Sequence, residues 1–283
     1  RLLVQLNISV LHIINSRHVW EVVCKYGLAI TQNTKIYASI YCDDYDKYNQ
    51  PVGFARQYLG NCYKYITNVF SDNARFPELL CQTYGYSSDL FKVIKVPAPI
   101  HDYPVRSKSE EFNVLWAGRL DRQKRPDILL AIAEALPQVN FSIFGSVSLD
   151  APNKIVSRLA KLLNVKILGA YDGPESLPFG SHRLFLYTSQ WDGMPNMVLE
   201  AMSAGIPLVC SVVGGIRETL NEKRGFPIDE IENIDAYVRA IRYVLDHPDE
   251  AEKRAVLAKQ YVRTEHTQSK FEAGLTAVNG YLN

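Results

Sequence analysis

The sequence lacks several features that would identify its class of protein immediately. Its 283 residues contain five cysteines, an odd number with no C-x-x-C pair, so we interpret them as reduced core residues of a cytoplasmic protein. No apolar run is long enough to span a bilayer, and no segment has the pattern of a signal peptide. The formal net charge of +1 gives no reason to expect a nucleic-acid partner. Repeats and low-complexity tracts are also missing, which leaves an ordinary globular chain.

The sequence does contain a repeated alternation of short apolar runs and helix-forming stretches. It is 47% hydrophobic and 22% charged, as globular proteins are, and it is long enough for two domains with a core each. The alternation predicts an α/β fold with parallel sheets and right-handed crossovers. Strands are predicted at 9–14, 35–42, 65–70, 91–96, 113–117, 139–144, 165–168, 184–188 and 207–210. Helices are predicted at 18–26, 53–64, 72–84, 127–136, 153–163, 196–204, 235–246, 248–264 and 268–282.

The segment 184–209 is the most informative about function. It has the pattern of a buried strand, a Gly-Met-Pro turn, a helix and a second strand. Asp192 and Glu200 bracket the turn and the helix, and Pro195 suits the first helical turn. Free amides at a helix start attract anions, and those expected here belong to Asn196, Met197 and Val198. The pattern favours a phosphate site between two acids, with an ordinary strand–helix unit whose acids face water as the alternative.

The segment 112–130 carries cations at a comparable position. Gly118 ends a predicted strand, and Arg119 and Lys124 follow it on the connecting loop. Open α/β sheets bind ligands outside the carboxyl ends of their strands, and a guanidinium with a lysine suits phosphate. The alternative is a solvated basic loop, formed by Arg119, Arg122, Lys124 and Arg125. Both segments together favour a diphosphate site.

These motifs resemble those of a known family. A G-R-L motif with a lysine five residues after the arginine is matched by Gly118, Arg119, Leu120 and Lys124. A pair of acids around G-x-P, followed by E-A-M and G-x-P, is matched by Asp192, Gly193, Pro195, Glu200, Ala201, Met202, Gly205 and Pro207. A G-G-I-x-E loop is matched by Gly214, Gly215, Ile216 and Glu218. From about residue 93 onward the chain is similar to the donor-binding domain of the retaining GT-B glycosyltransferases of family four.

One position departs from the family pattern. The family has glutamate where this chain has Asp192, which is shorter by one methylene group. In the family that acid is associated with hydroxyls of the transferred sugar, and the acid at the position of Glu200 with the ribose. The shorter side chain could still reach through a shifted turn or a water molecule. An altered donor sugar or weak activity are the other interpretations.

The resemblance implies a GT-B fold of two Rossmann-type domains, whose last helix crosses back to the first domain. It implies sugar transfer, with retention, from a UDP- or GDP-linked donor to a glycan or glycolipid hydroxyl, without a metal. The expected role is in surface polysaccharide or lipopolysaccharide biosynthesis. The implied catalytic residues are Arg119, Lys124, Asp192 and Glu200. The implied donor-binding residues are Gly118, Gly169, Gly193, Met194, Asn196, Met197 and Val198.

The first half of the chain matches the family less fully. We expect a partial N-terminal, acceptor-side domain at 1–103 and the donor domain at 104–283, joined by a linker at 97–111 that contains three prolines. A complete first domain of this family is considerably longer, so the chain is expected to be truncated. His12 resembles a family segment that faces the cleft, with a satisfied core histidine as the alternative.

Three further hypotheses stay open. An acidic cluster could mimic the D-x-D metal site of another glycosyltransferase class, although a solvated turn is favoured; it consists of Asp43, Asp44 and Asp46. A basic helix face could touch anionic lipid, although a solvated face is favoured; it consists of Lys154, Arg158 and Lys161. The chain could also be a sugar-nucleotide-binding module without activity of its own, or a GT-B epimerase or phosphorylase.

Overall fold

The computed structural model describes residues 6–45, 50–53, 55–99, 112–148 and 152–282. The chain divides into two compact units. Unit 1 comprises Arg1–Pro97, Trp191–Met194 and Thr267–Asn283, and unit 2 comprises Ala98–Gln190 and Pro195–His266. The domain boundary predicted between residues 103 and 104, and most of the predicted linker at 97–111, lie outside the described residues.

Strands and helices alternate along the described chain, as predicted. The strands are β1 (Val10–Ile14), β2 (Lys35–Ser39), β3 (Asn68–Ser71), β4 (Phe91–Val93), β5 (Asn113–Ala117), β6 (Asn140–Phe144), β7 (Val165–Gly169), β8 (Leu184–Tyr187), β9 (Leu208–Ser211) and β10 (Phe226–Ile228). The α-helices are α1 (Arg17–Ile30), α2 (Gly60–Cys62), α3 (Arg75–Tyr84), α4 (Pro126–Ala135), α5 (Asn153–Leu159), α6 (Asn196–Ala204), α7 (Ile216–Thr219), α8 (Ile234–Asp246), α9 (Pro248–Glu265) and α10 (Gln268–Thr276). Single turns of other helix types lie at Ala55–Leu59, Tyr63–Tyr65, Ser88–Leu90, Pro174–Ser176 and Phe179–Ser181.

Unit 1 is built on a parallel four-stranded sheet in the order β1-β2-β3-β4. Successive residues of a strand point to opposite faces, and both faces of this sheet are apolar. Ile36 and Val69 pack with α1 and α3 on one face. Tyr37 and Phe70 form a second small core with Val278, which follows α10. The C-terminal helix therefore belongs to the first unit, as the resemblance implied.

Unit 2 contains a parallel six-stranded sheet in the order β10-β9-β8-β5-β6-β7. Every residue of β8 and β9 is buried, as expected for a parallel sheet covered by helices on both faces. β5 and β8 are hydrogen-bonded neighbours, with Val114 opposite Leu184 and Leu115 opposite Phe185. The segments that follow these two strands therefore leave the sheet side by side at its carboxyl edge.

Most predicted elements are found, with errors concentrated at their ends. The strand predicted at 113–117 and the helix predicted at 196–204 coincide with β5 and α6. The helix predicted at 153–163 ends at Leu159, and the one predicted at 268–282 ends at Thr276. β10 and α7, which have three and four residues, were not predicted. Within the described ranges no helix is both long enough and apolar enough to cross a bilayer.

Candidate functional site

The two informative segments of the sequence meet at the carboxyl edge of the unit 2 sheet. The loop after β5 contains Lys124, whose backbone carbonyl accepts a hydrogen bond of 2.7 Å from the hydroxyl of Thr188, the residue after β8. The amide of Gln190 donates to the carbonyl of Gln123 over 2.8 Å. The basic loop is therefore fastened to the end of the neighbouring strand.

Lys124 is fixed at its amide, its carbonyl and its ammonium group. Its amide donates to Oδ1 of the buried Asp121 over 3.0 Å, and its carbonyl is bonded to Thr188. Its Nζ donates to the hydroxyl of Tyr187 over 3.1 Å and lies 5.1 Å from the centroid of that ring. The ammonium is thus held at the end of β8, at the carboxyl edge of the sheet.

Arg119 lies on the same loop and is more open to solvent. Its side chain is 61% exposed and pairs with Asp121 at 3.1 Å. It also donates to Oε1 of Gln123 over 3.0 Å. A guanidinium has five N–H groups, so these contacts orient Arg119 and still allow it to bind phosphate oxygens.

The start of α6 presents backbone amides, but fewer than the sequence suggested. Pro195 precedes the helix in an extended conformation instead of forming its first turn, and no side chain caps this end. The Val198 amide donates to the Pro195 carbonyl over 3.0 Å, so the expectation that it is free was wrong. No acceptor in the described part of the chain bonds the amides of Asn196 and Met197. Two amides therefore remain for an anion.

Glu200 is a buried acid on α6. Its exposed fraction is 8%, and no described residue donates a hydrogen bond to its carboxylate. Burial raises the pKa of Glu200 to about 7, and the negative charge of Glu175 adds to this effect. Burial also raises the pKa of Tyr171, with a contribution from Glu200. Tyr171 and Glu175 follow β7 and were missed from the sequence, because no motif marks them.

Glycines let the loops approach each other at this edge. Gly145, which follows β6, has φ +142°, and a Cβ there would overlap the carbonyl oxygen of Gly118. A Cβ on Gly118 would be in ordinary contact, at 3.5 Å, with Lys124 and Trp116. Gly169 has φ +80°, with open space around it. Gly145 was missed, although a glycine directly after a predicted strand was a usable signal.

The remaining predicted donor residues lie in unit 1, in the segment Trp191–Met194. The Met194 amide donates to Oδ2 of Asp72 over 3.0 Å. A Cβ on Gly193 would come within 2.8 Å of that carboxylate. Burial raises the pKa of Asp72 to about 6, hydrogen bonds from Met194 and Asn73 oppose the shift, and the charge of Asp192 adds to it. Asp72 thus holds the turn that carries Asp192, a role that the sequence did not reveal.

The other sequence hypotheses have mixed outcomes. His12 bonds through one ring nitrogen to Ser39 at 2.9 Å and through the other to Tyr281 at 2.7 Å, and it lines a cavity of about 210 Å³ in unit 1. Arg158 of the basic helix face pairs with Glu134 at 2.7 Å. Asp46 of the acidic cluster lies outside the described residues. In the described parts of the chain, no group of three histidine, cysteine or acidic side chains is arranged to hold a metal ion.

Comparison with known proteins identifies the family. The family described as glycosyl transferases group 1 matches residues 101–261, more than half of the chain. The chain belongs to this family. The matched residues include the basic loop, α6 and Glu200, and therefore all the unit 2 residues discussed above.

Individual group 1 relatives are distant. The Escherichia coli O-antigen biosynthesis glycosyltransferase WbnH is 29% identical over 147 residues, which are 52% of this chain and 42% of that protein. The Escherichia coli UDP-Gal:alpha-D-GlcNAc-diphosphoundecaprenol alpha-1,3-galactosyltransferase is 32% identical over 154 residues, 49% of this chain and 38% of that protein. The matched segments thus span less than half the length of these relatives.

A solved structure extends the likeness to the fold of nearly the whole chain. Anabaena HepE, crystallised with UDP and glucose, has a TM-score of 0.76 and 18% identity. The likeness covers 94% of this chain and 77% of HepE. At this identity the comparison shows the GT-B fold and leaves the ligand to be argued from this chain's own residues.

Proposed function

We propose that the chain transfers a sugar from a nucleotide-sugar donor to a hydroxyl acceptor, in the assembly of a surface polysaccharide or glycolipid. Family membership supports the reaction class. The names of the Escherichia coli relatives, which refer to O-antigen biosynthesis and to a diphosphoundecaprenol acceptor, support the biological setting. Retention of anomeric configuration is proposed on the motif resemblance alone.

The observation that carries the proposal is the arrangement of positive charge at the carboxyl edge of unit 2. Cleavage of a nucleotide–sugar bond leaves a diphosphate on which negative charge grows. Lys124 and Arg119 would stabilise this charge, together with the two open amides of α6. We propose that these groups act without a metal, in agreement with the family pattern.

The acids would position the rest of the donor. Glu200 would accept hydrogen bonds from the ribose hydroxyls, which fits a buried carboxylate that lacks a donor among the described residues. Asp192 is assigned to hydroxyls of the transferred sugar on its place in the motif. The donor is proposed to be UDP- or GDP-linked, and the name of the Escherichia coli relative, which refers to UDP-Gal, favours the first.

The test is a thermal-shift panel of UDP, GDP, ADP and their sugars, followed by product analysis with and without glycan acceptors. A ligand that binds only the folded state raises the melting temperature. We expect a rise with one nucleoside diphosphate and its sugars, and loss of the rise in Glu200→Ala. No shift with any member of the panel would contradict the proposal.

A second candidate is favoured by the short match to the relatives, which covers 42% of WbnH. In that case the chain binds the donor but needs further residues or a partner for chemistry. Donor binding without turnover, followed by turnover when a longer form of the chain is supplied, would establish it. A product formed without any acceptor would instead indicate an epimerase or phosphorylase.

A further inference from the structure

Two consecutive residues at the end of β8 control the position of Lys124. Tyr187 accepts a hydrogen bond from the ammonium over 3.1 Å. Thr188 donates to the Lys124 carbonyl over 2.7 Å and accepts from the indole N–H of Trp116 over 3.0 Å. Tyr187 and Thr188 are almost fully buried, at 2% and 1% exposure, so both are themselves fixed by the sheet.

The orientation of the Thr188 hydroxyl is fixed by two hydrogen bonds. It has one proton to donate, which goes to Lys124, and it accepts from Trp116, which lies on the neighbouring strand β5. The position of the basic loop is therefore tied to the two strands whose carboxyl ends form the proposed anion site. A valine would keep the shape of the threonine but remove both hydrogen bonds.

The hydroxyl and the ring of Tyr187 orient the ammonium of Lys124. A lysine side chain has many rotamers, and confining it before the ligand arrives removes an entropic cost from binding. The Tyr187 ring and hydroxyl provide that confinement.

We propose that Tyr187 and Thr188 are positioning residues for the donor diphosphate and act on it through Lys124. This inference rests on the proposed function. It makes a specific claim about coupling: the contribution of the Tyr187 hydroxyl to diphosphate binding should exist only while the Lys124 side chain is present, whereas the Thr188 hydroxyl acts through the backbone carbonyl of that residue.

A double-mutant cycle measured by calorimetric titration with UDP and GDP tests this claim. Lys124→Ala should weaken binding of the preferred nucleotide at least tenfold, and Tyr187→Phe about three- to tenfold. Added to Lys124→Ala, Tyr187→Phe should cause no further loss beyond twofold. Equal losses from Tyr187→Phe in both backgrounds would overturn the inference, because the tyrosine would then act independently of the lysine.

Two threonine variants test whether the Thr188 hydroxyl is needed for binding. A tyrosine variant elsewhere in unit 2 controls for the loss of a hydrogen-bonded tyrosine hydroxyl in general. Thr188→Ser keeps the hydroxyl and should bind as the wild type does, whereas Thr188→Val should bind several-fold more weakly. Tyr243→Phe removes a hydroxyl of α8 that bonds Glu250 of α9 at 2.6 Å, and should leave affinity unchanged. Comparable losses in Tyr243→Phe and Tyr187→Phe would contradict a positioning role and indicate a general effect on stability.

The outcomes separate the two proposals. If the wild type binds neither nucleotide, the proposed function and this inference both fail. If Lys124→Ala weakens binding tenfold while Tyr187→Phe and Thr188→Val have no effect, the proposed function stands and this inference alone is overturned.

Discussion

The carboxyl edges of the two parallel sheets have the same topology and opposite chemistry. In unit 2 the edge carries Lys124 and Arg119, together with two open amides at the start of α6. In unit 1 the strand β3 is followed by Asp72, whose carboxylate is buried and already bonds the amide of Met194 and the side chain of Asn73. At both edges the strands end in loops with polar groups. The charges of the side chains on those loops decide which edge can bind an anion.

The same contrast appears between two neighbouring cations. Arg125 has a positive φ of 53° and is clamped by two carboxylates; the hydrogen bond to Glu232 is the largest of several effects that raise its pKa. Lys124 bonds a neutral hydroxyl. We therefore assign Arg125, which already bonds two carboxylates, to the fold, and we assign Lys124 to the ligand on its place at the carboxyl edge of the sheet. The predictions that follow test this division, beginning with the largest effect.

Among the proposed substitutions, Gly145→Ala should destabilise unit 2 most. The added Cβ would overlap the Gly118 carbonyl at a φ of +142°, so we expect a loss of about 3 kcal/mol or more in the free energy of unfolding. Gly169→Ala is the matched control, because its φ is also positive but the space is open; it should lose about 1–2 kcal/mol. Chemical denaturation measures both, and equal losses would show that close approach is not the constraint at Gly145.

Arg119→Ala should lower kcat of sugar transfer by about 10²-fold, because a preorganised cation would be missing where charge develops. Arg158→Ala removes a comparable charge from an exposed ion pair with Glu134, and such pairs contribute little. Steady-state kinetics of both variants should therefore differ widely. Similar kcat values would place the anion elsewhere than at the basic loop.

Glu200→Gln should stabilise the unliganded protein at high pH and weaken donor binding at least tenfold. The folded-state pKa of about 7 lies above the ordinary value of 4.5. The stability linked to protonated Glu200 is therefore fully present below pH 4.5 and lost as the pH rises through 7. At pH 8 the variant should gain roughly 1–3 kcal/mol over the wild type. Parallel stability–pH profiles from denaturation of the two proteins would contradict the assigned pKa.

Asp72→Asn should have the smallest effect and leave nucleotide affinity unchanged. The amide oxygen can still accept from Met194, while the ionisation is removed. The pKa of Asp72 is raised from 3.8 to about 6, so the wild type loses stability as the pH rises through 6 and the variant does not. The raised pKa alone corresponds to about 3 kcal/mol at pH 7.5. The variant has only one acceptor oxygen and loses the bond from the Asn73 side chain, so we expect a net gain of about 1 kcal/mol. A large loss of nucleotide affinity would show that the unit 1 edge also contributes to the anion site.

The sequence predicted those parts of the fold that depend on neighbouring residues. The apolar run of β5 and the helix 196–204, which ends at the left-handed Gly205, gave correct boundaries. The basic loop and α6 were correctly expected at one sheet edge, because parallel strands share that edge. The hydrogen bond from Met194 to Asp72 could not be predicted, because it joins residues 122 positions apart. The effect of Glu175 on the pKa of Glu200 could not be predicted for the same reason, because these two residues are also distant in the sequence.

The most direct test of the proposed anion site is amide NMR of the protein titrated with UDP, GDP and the corresponding nucleosides. We expect the Asn196 and Met197 amides to shift strongly with the preferred diphosphate and hardly at all with its nucleoside, with the Val198 amide moving less than either. Shifts of equal size with diphosphate and nucleoside, or no shift at these two amides on saturation with diphosphate, would contradict the account.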